Sequence, residues 1–300
     1  MKKVLVITYT QSGQLDQICH RVTAPFLADP NVQVTYYNVE LEQNFPFPWT
    51  GATFFDSFPE SFKQIPQSIV APPEAILNEK YDLIVLGYQV WYLTPSIPIN
   101  SFLKSEYAKK IFNQTPVLTV IACRNMWAKA HDKMQVLLKD LGAKHVGNVA
   151  LIDHAPNLIS VVTIVKWMFT GSKERYLGIF PKPGISTEDI ANSIRFGEIA
   201  LKHLKDNSWE SLQPQLVAKG AIEIKPFLIM IDRTANRLFS LWSTKILSKK
   251  ESRKKWLKAF NYYLLFVLYI VSPIVYILFL ITYPFRLARI KKDTIHYQNI

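Results

Sequence analysis

The chain has 300 residues, of which 49% are hydrophobic and 19% are charged, and its formal net charge is +12. Most of this charge lies in residues 245–293, which hold eleven Lys and Arg and two acidic residues on both sides of an apolar segment. A nucleic-acid-binding protein would instead spread its basic residues over a recognition face, so the charge does not indicate nucleic-acid binding. The two cysteines, Cys19 and Cys123, fit no disulfide framework or metal-ligand spacing. Because the chain also opens on a strand pattern without a secretory leader, we expect a reducing, cytoplasmic setting.

Residues 1–206 show strand patterns that alternate with helical patterns. The strand patterns cover Lys3–Tyr9, Val32–Asn38, Asp82–Gly87, Val117–Ala122 and His145–Ile152. The helical patterns cover 14–27, 97–112, 128–141 and 187–206, the last with a capping-box start at Ser186 and Asp189. Short β-branched strands that alternate with amphipathic helices predict an α/β fold with a doubly wound, five-stranded parallel sheet. Ligands of such folds bind beyond the carboxyl ends of the strands.

The loop after the first predicted strand reads Thr10-Gln11-Ser12-Gly13-Gln14-Leu15. It meets the positive end of the following helix, where an anionic phosphate is stabilised. It has no lysine, so it is not a Walker loop, and its single glycine does not make the dinucleotide-binding pattern. Hydroxyl groups and backbone N–H groups alone suit a monophosphate such as that of FMN. The alternative is an ordinary strand-to-helix turn.

Three further loops follow the predicted strands. Val90-Trp91-Tyr92-Leu93 offers two aromatic rings for packing against a planar ligand. Cys123-Arg124-Asn125 offers hydrogen-bond donors for the polar edge of such a ligand. His131 and His154 are candidates for proton transfer, since histidine titrates near neutral pH. The sequence predicts no metal site.

Two insertions interrupt the alternating pattern. Residues 44–73 carry six prolines and six phenylalanines, and this density of proline predicts no regular helix or central strand there. Residues 155–185 begin with a segment, 155–171, that is apolar apart from Lys166. Either insertion could cover the hydrophobic core, or it could line a route for a long-chain, lipid-like molecule.

The C-terminal third divides into a basic amphipathic linker (207–258), an uncharged apolar segment (259–285) and a basic tail (286–300). The apolar segment is longer than the 20 or so residues that a spanning helix needs. Both of its flanks are basic, which is unusual for a single span, and Pro273 near its middle is expected to break the helix. We therefore favour a re-entrant or shallow hairpin, attracted to anionic lipid, over a span or a buried core helix.

The first 206 residues resemble flavodoxin-like proteins. Residues Thr10–Leu15 are similar to the hydroxyl-rich FMN phosphate loop of flavodoxins and their quinone-reductase relatives, and Gly87–Leu93 takes the place of their isoalloxazine loop. The resemblance implies the strand order 2-1-3-4-5, FMN as cofactor, and Cys123–Asn125 beside the flavin. The usual end of the phosphate loop is replaced here by Ser12-Gly13-Gln14-Leu15, which predicts weaker binding.

Across the whole chain, the opening Lys2–Leu15, the length and the hydrophobic, basic C-terminus resemble the bacterial family of dialkylresorcinol condensing enzymes. That family accompanies a ketosynthase and an acyl carrier protein in making dialkylresorcinols and related aryl-polyene lipids. Carbon–carbon condensation normally needs a cysteine nucleophile with two charge-stabilising partners, and the sequence does not supply that set. The resemblance therefore favours the aromatising oxidation of a dialkylcyclohexanedione by FMN, at the cytoplasmic face of the inner membrane.

Two alternatives stay open at the level of the sequence. The first is an NAD(P)H:quinone reductase that uses the same flavin, and NAD(P)H or a quinone is also the expected electron partner of the favoured enzyme. The second is a flavin-free scaffold that tethers biosynthetic partners to membrane lipids. The sequence leaves homo-oligomerisation open and predicts no nucleic-acid partner.

Overall fold

Five parallel strands form the centre of the computed structural model, which describes residues 1–300. The strands are β1 Lys2–Thr8, β2 Val32–Asn38, β3 Leu83–Trp91, the two-residue β4 Thr94–Pro95, β5 Pro116–Cys123 and β6 Lys144–Ile152. The order across the sheet is β2-β1-β3-β5-β6. The five parallel strands therefore have the predicted doubly wound, flavodoxin-like order. The additional strand β4 pairs antiparallel with the end of β3 and has no counterpart in the sequence prediction.

Fourteen helices surround this sheet and extend beyond it. They are α1 Gln14–Leu27, α2 Gly51–Asp56, α3 Phe58–Phe62, α4 Glu74–Leu77, α5 Ile97–Leu103, α6 Glu106–Phe112, α7 Ala128–Asp140, α8 Asn157–Thr170, α9 Thr187–Asn192, α10 Ile194–Asp206, α11 Leu212–Ala218, α12 Pro226–Ser248, α13 Arg253–Phe266 and α14 Ser272–Gln298.

The central strands are buried on both faces, as the runs of branched apolar residues predict. Val4, Leu5, Val6 and Ile7 of β1 have no exposed surface. The register of β1 aligns Val4 with Val34 of β2 and with Leu83 of β3. Because the strands are parallel, the loops that follow β1, β3 and β5 meet at one edge of the sheet.

The insertions and the domain boundary differ from the sequence prediction. Residues 44–73 contain two short helices, α2 and α3, so the prediction of no regular helix was wrong. Pro59 lies in the first turn of α3, where its missing N–H costs no hydrogen bond. The apolar start of the second insertion is helix α8. The main core also continues past the predicted boundary at residue 206, since Leu212 and Leu216 of α11 are fully buried in it.

Residues Arg253–Gln298 form a continuous helix of 46 residues, hereafter the C-terminal helix. It is long and apolar enough to cross a membrane, with a mean hydropathy of 2.8 in its most apolar window, of which only 11% is buried. Pro273 does not break it. A five-residue π-helical turn, Val267–Val271, ends two residues before that proline and accommodates its missing N–H and its ring. The favoured hairpin is therefore absent from this structure.

The C-terminal helix contacts the rest of the protein near both of its ends. Phe260 stacks on Phe58 of α3, with ring centroids 3.8 Å apart and planes 6° apart. Arg233 of α12 donates two hydrogen bonds, of 2.6 and 2.5 Å, to Asp293. Tyr297 is 1% exposed and belongs to the main core. Because both ends of the C-terminal helix lie against the sheet domain, the basic residues on both flanks of its apolar segment also lie near that domain.

Candidate functional site

A cavity of about 1070 Å³ opens beyond the carboxyl ends of β1, β3 and β5. All the predicted cofactor-binding residues line it except Thr10 and Gly13. The two insertions line it through residues such as Trp49 and Trp167, and the C-terminal region through α12 and the C-terminal helix. The edge of the sheet where a ligand is expected and the most apolar helix of the chain therefore share one space.

The predicted phosphate loop ends at the N-terminus of α1. Gly13 precedes this helix in the left-handed conformation, with φ 78°, which an L side chain adopts only with strain. Its backbone N–H donates to Thr10 Oγ1 at 3.1 Å. A Cβ added at Gly13 would meet no atom within 4 Å, so the space around it is open. The first N–H groups of α1 have no partner within the helix and are available to an anion.

Both insertions contact this loop. Gln11 accepts a hydrogen bond of 3.0 Å from the indole N–H of Trp49. Gln14 donates to the carbonyl of Ile185 at 2.9 Å and accepts from its N–H at 3.0 Å. These contacts fix the two glutamines. They leave the amide nitrogen of Gln11, a residue that lines the cavity, buried without a partner.

The loop after β3 is a tight turn between β3 and β4. Trp91 pairs with Thr94, and the two residues between them, Tyr92 and Leu93, have φ values of 49° and 63°. A two-residue hairpin turn with both central residues left-handed normally uses Asn and Gly, so this turn is strained. The Tyr92 hydroxyl donates to the Phe54 carbonyl at 2.7 Å, and Lys133 Nζ donates to the Leu93 carbonyl at 3.3 Å. These contacts hold the turn from both sides.

Trp91 and Tyr92, predicted together as stacking residues, have different environments. Trp91 has Tyr9, Phe45 and Trp49 around it, at centroid distances of 6.1, 5.1 and 5.3 Å and at steep interplanar angles, the edge-to-face geometry that aromatic rings prefer. The ring of Tyr92 instead packs at 5.2 and 5.1 Å from the rings of Phe54 and Phe58. Both residues are half-buried and line the cavity. Trp91 is the better candidate for contact with a planar ligand, because its neighbour Trp49 also bonds Gln11 of the predicted phosphate loop.

The loop after β5 presents a cation that has no ion-pair partner. Arg124 Nη1 donates to the backbone carbonyl of Asn157 at 3.1 Å and to its side-chain oxygen at 2.7 Å. Asn125 donates to the same side-chain oxygen at 2.9 Å, and its own Oδ1 is buried without a partner. Burial lowers the pKa of Arg124 to about 10, so the guanidinium stays charged at neutral pH. The cavity thus has one fixed positive charge at the sheet edge.

Cys123 also lines the cavity, but its environment favours the thiol. Burial raises its pKa, and the neighbouring Arg124 offsets this only in part. A neutral thiol is a poor nucleophile. The structure therefore gives no support for thiolate chemistry at this position.

The two predicted proton-transfer histidines do not line the cavity. His131 is 1% exposed on α7, beside Trp127 and His145 at centroid distances of 5.8 and 5.6 Å. Burial lowers its pKa to about 3, so it is neutral at physiological pH. The half-exposed His154 lies 3.5 Å from Asp189 and 3.3 Å from Glu223, at the protein surface. Neither histidine can be assigned a role at the cavity.

Sequence reasoning missed two residues that organise this site, Asn157 and Trp49. Asn157 begins α8 and holds Arg124 and Asn125, which are 33 and 32 positions away in the chain. Trp49 reaches the phosphate loop across 38 positions. Neither belongs to a local motif. The only sequence signal was that both insertions are apolar and flank the predicted ligand edge.

The comparisons with known proteins concern the fold. The chain matches no protein-family model and none of the curated proteins compared with it. Among solved structures it is similar to a flavoprotein in complex with FMN from Lactobacillus acidophilus NCFM, at 18% identity and a TM-score of 0.39, covering 49% of this chain and 92% of that one. It is also similar to a flavodoxin from the domain Archaea (12% identity, TM-score 0.37, covering 68% and 99%) and to flavodoxin 1 from Bacillus cereus (17% identity, TM-score 0.36, covering 67% and 99%). Since these scores are low, the fold assignment depends on the strand order and register of this chain.

Proposed function

We propose that this protein is a membrane-associated, FMN-dependent oxidoreductase that aromatises a lipid-like ring, converting a dialkylcyclohexanedione into a dialkylresorcinol. The observation that carries the proposal is the single cavity that joins the phosphate loop, Trp91 and Arg124 to the apolar C-terminal helix. A soluble electron carrier has no need of such an apolar extension. An enzyme that acts on a water-insoluble ring needs both parts.

The residues around the loops suit FMN. The open N-terminus of α1, with Ser12 beside Gly13, offers backbone and hydroxyl donors to a phosphate. The unpaired amide nitrogen of Gln11 and the unpaired Oδ1 of Asn125 supply a donor and an acceptor that need partners. Arg124 would stabilise negative charge at the polar edge of the ring system. When bound, FMN supplies two-electron oxidation.

The proposed reaction balances without a nucleophile. The ring of the dione would lose one hydride and one proton, and its tautomerisation would give the resorcinol; a bound FMN would accept the hydride, and the proton would leave to solvent. A 1,3-dione is acidic, so its enol form needs no strong base for proton loss. This agrees with a cavity in which the Cys123 thiol is held neutral and which no histidine lines.

Membrane association is proposed on the C-terminal helix. Its outer surface carries exposed apolar side chains along most of its length, and its two basic flanks lie on the same side as the domain. A long exposed apolar face is typical of a surface that contacts a membrane or another protein. We therefore infer that the helix lies in the cytoplasmic surface of the bilayer, with its basic flanks near anionic headgroups.

The test starts with a visible absorption spectrum of the detergent-purified, full-length protein with and without added FMN. We expect the spectrum of a bound, oxidised flavin. Anaerobic addition of a dialkylcyclohexane-1,3-dione should then bleach it, with one equivalent of the resorcinol found by mass spectrometry. A protein that stays colourless with FMN would contradict the proposal. A flavoprotein that is reduced by NAD(P)H, passes its electrons to quinones and ignores the dione would be a quinone reductase instead.

On the resemblance to the dialkylresorcinol family, we propose that this oxidation follows a condensation. A ketosynthase with an acyl carrier protein would form the cyclohexanedione, and the present chain would oxidise it. Co-purification of the tagged protein with a ketosynthase and an acyl carrier protein from the native membrane would support that arrangement.

A further inference from the structure

The C-terminal helix contacts α12 at two places, and the stretch of the C-terminal helix between these contacts is longer than the corresponding stretch of α12. Phe260 and Phe279 lie 5.5 and 5.4 Å, by ring centroid, from Phe239 and Phe227 of α12. Helical rise makes the path between the two residues of α12 about 18 Å and the path between the two residues of the C-terminal helix about 28 Å. Between these contacts, Leu268 and Val275 of the C-terminal helix and Ala235 of α12 all line the cavity, so the cavity lies between the two helices there. We call residues Leu264–Phe279 the bowed segment.

The bowed segment encloses one arm of the cavity. Residues along its inner face line the cavity at helical spacing; they are Leu264, Leu268, Val271, Val275 and Phe279. The opposite wall is the apolar face of α12, with Met230, Ile231, Ala235 and Leu238. Protein interiors seldom keep voids larger than a water molecule, and apolar voids do not hold water well. This arm is therefore shaped for an apolar occupant.

The other face of the bowed segment is also apolar, and it is exposed. Ile270, Ile274 and Ile277 are between 53% and 57% exposed and do not line the cavity, and they recur at intervals of three and four residues along the helix. One helix thus separates the cavity from the surroundings of the protein. If those surroundings are lipid, no polar layer stands between the bilayer and the arm.

Most polar side chains of the cavity lie at its other end, on the sheet loops and the start of α8; they include Gln11, Ser12, Gln89, Arg124 and Asn157. The lining from α12 and the C-terminal helix adds Thr234, Asn261, Ser272 and Arg286, of which only Arg286 is charged. Altogether 34 of the 47 lining residues are hydrophobic, which makes the space mainly apolar. Its volume of about 1070 Å³ reaches the upper limit of typical small-molecule pockets, roughly 300–1,000 Å³. A molecule that fits both ends has a compact polar ring and at least one alkyl chain.

We propose that the arm between α12 and the bowed segment binds the alkyl chain of a ring-bearing amphiphile, which enters from the bilayer. The ring lies at the sheet edge, near Trp91 and Arg124, and the chain lies against Leu268, Val271 and Val275. The inference rests on the proposed function for its membrane setting and for the class of ring. The chain site itself is independent of FMN.

Calorimetric titration of the full-length protein in nanodiscs tests this site. The probes are resorcinol and 5-alkylresorcinols of increasing chain length. Each methylene buried in the arm should lower the dissociation constant roughly fourfold, the value that about 0.8 kcal/mol per methylene implies, until the arm is full. Partition into the lipid also depends on chain length, so matched variants must separate the two effects.

Val275→Trp and Ile274→Trp are the matched pair. Val275 lines the arm, whereas Ile274 is 55% exposed on the outer face. Val275→Trp should abolish the dependence on chain length for long chains, and Ile274→Trp should keep it. Val271→Phe, a smaller change on the inner face, serves if the first variant does not fold. Equal chain-length dependence in the inner and outer variants would overturn the proposal.

FMN binding to the same variants separates this proposal from the proposed function. Val275→Trp should bind FMN as the unaltered protein does, since the arm lies away from the phosphate loop. If the unaltered protein fails to bind FMN but keeps a chain-length dependence that Val275→Trp removes, the chain site stands and the flavin function fails. If FMN binds normally and no such dependence exists, the chain site fails and the flavin function stands.

Discussion

The core around the sheet and the smaller cluster beneath the C-terminal helix are enclosed in different ways. The main core contains 51 buried residues, and helices cover both faces of its central strands. The smaller cluster contains seven, among them Phe58, Phe239 and Phe260. It is held by aromatic contacts between α3, α12 and α13, and Phe239 also lines the cavity. Only two of the 51 residues of the main core line the cavity, Leu15 and Ile185, against two of the seven in the smaller cluster, Leu93 and Phe239. A much larger share of the smaller cluster therefore adjoins the open space.

This difference separates the stability of the domain from the shape of the cavity. Substitutions in the main core should unfold the protein, because its packing is complete and cannot adjust cheaply. Substitutions in the smaller cluster should mainly release the C-terminal helix. Local opening of this kind needs less free energy than global unfolding. The following variants test whether the two regions behave so differently.

The largest effect is expected where α1 and α10 approach each other most closely. A Cβ at Gly197 would lie 1.8 Å from the carbonyl oxygen of Val22, so Gly197→Ala forces the two helices apart. We expect a loss of roughly 3 kcal/mol or more in the free energy of unfolding, measured from the urea midpoint. Gly51→Ala is the control, because a Cβ at Gly51 meets no atom within 4 Å. A midpoint unchanged in both variants would mean that this contact does not limit stability.

The next effect concerns the smaller cluster. Phe260→Ala removes a fully buried ring that stacks on Phe58, a change that typically costs about 3–5 kcal/mol. We expect faster hydrogen exchange in α12 and α13 with little change in the strands. Tyr262→Ala, which alters a side chain that is 61% exposed, should change neither. Equal acceleration in the strands would show that the two clusters unfold together.

A smaller effect is expected at the phosphate loop. Gly13→Val places a β-branched residue at a left-handed position, a strain on the order of 1–2 kcal/mol, so FMN affinity should fall about tenfold. Gly178→Val is a matched control, because Gly178 has φ 71° and equally open surroundings but belongs to the short turn Tyr176–Gly178, outside the phosphate loop. Absorbance titration with FMN gives both affinities. Equal losses in the two variants would show that general destabilisation is the cause.

The smallest effect is a pH dependence at Asp232 of α12. Burial raises the pKa of Asp232 to about 7 from an ordinary value of 3.8. Its contribution to stability is therefore greatest below about pH 4 and is lost as the pH rises through 7. Asp232→Asn should be more stable than the unaltered protein at pH 8, by about 1 kcal/mol, since it removes a buried charge but also the attraction to Lys129.

Thermal unfolding of both proteins between pH 4 and 8 measures this difference. The advantage of Asp232→Asn should shrink towards pH 4, where the aspartate is protonated in the folded state and close to half protonated in the unfolded state. An advantage that stays constant over the whole range would show that Asp232 does not titrate there.

The strands were predictable because buried, branched runs leave few alternatives. Val32–Asn38 agrees with the prediction to the residue, and β3 extends beyond Gly87 because its end pairs with β4. The predicted helix 97–112 is two helices, since Ser105 caps a new one by accepting a hydrogen bond from the N–H of Ala108. The site was predictable only where its residues follow strands. Contacts across 30 or more positions, such as those of Asn157 and Trp49, leave no local pattern.

The path of the C-terminal helix could not be predicted for a different reason. Between residues 264 and 279 both of its faces are apolar, so periodicity does not indicate which face packs against the protein. The contacts that fix its position, such as Phe260 on Phe58 and Arg233 on Asp293, lie near its ends. Pro273 indicated a break, but a helix can accommodate a proline through a local π turn.

The strained turn at Tyr92 and Leu93 joins the two regions through one set of contacts. Tyr92 packs on Phe58, and Phe58 stacks on Phe260 of the C-terminal helix. Under the proposed membrane association, a bilayer that favours one position of that helix would also act on the turn beside Trp91. Thermodynamic linkage then requires reciprocity. The factor by which the bilayer raises the affinity of the protein for the ring is also the factor by which the bound ring raises the partition of the protein onto the bilayer.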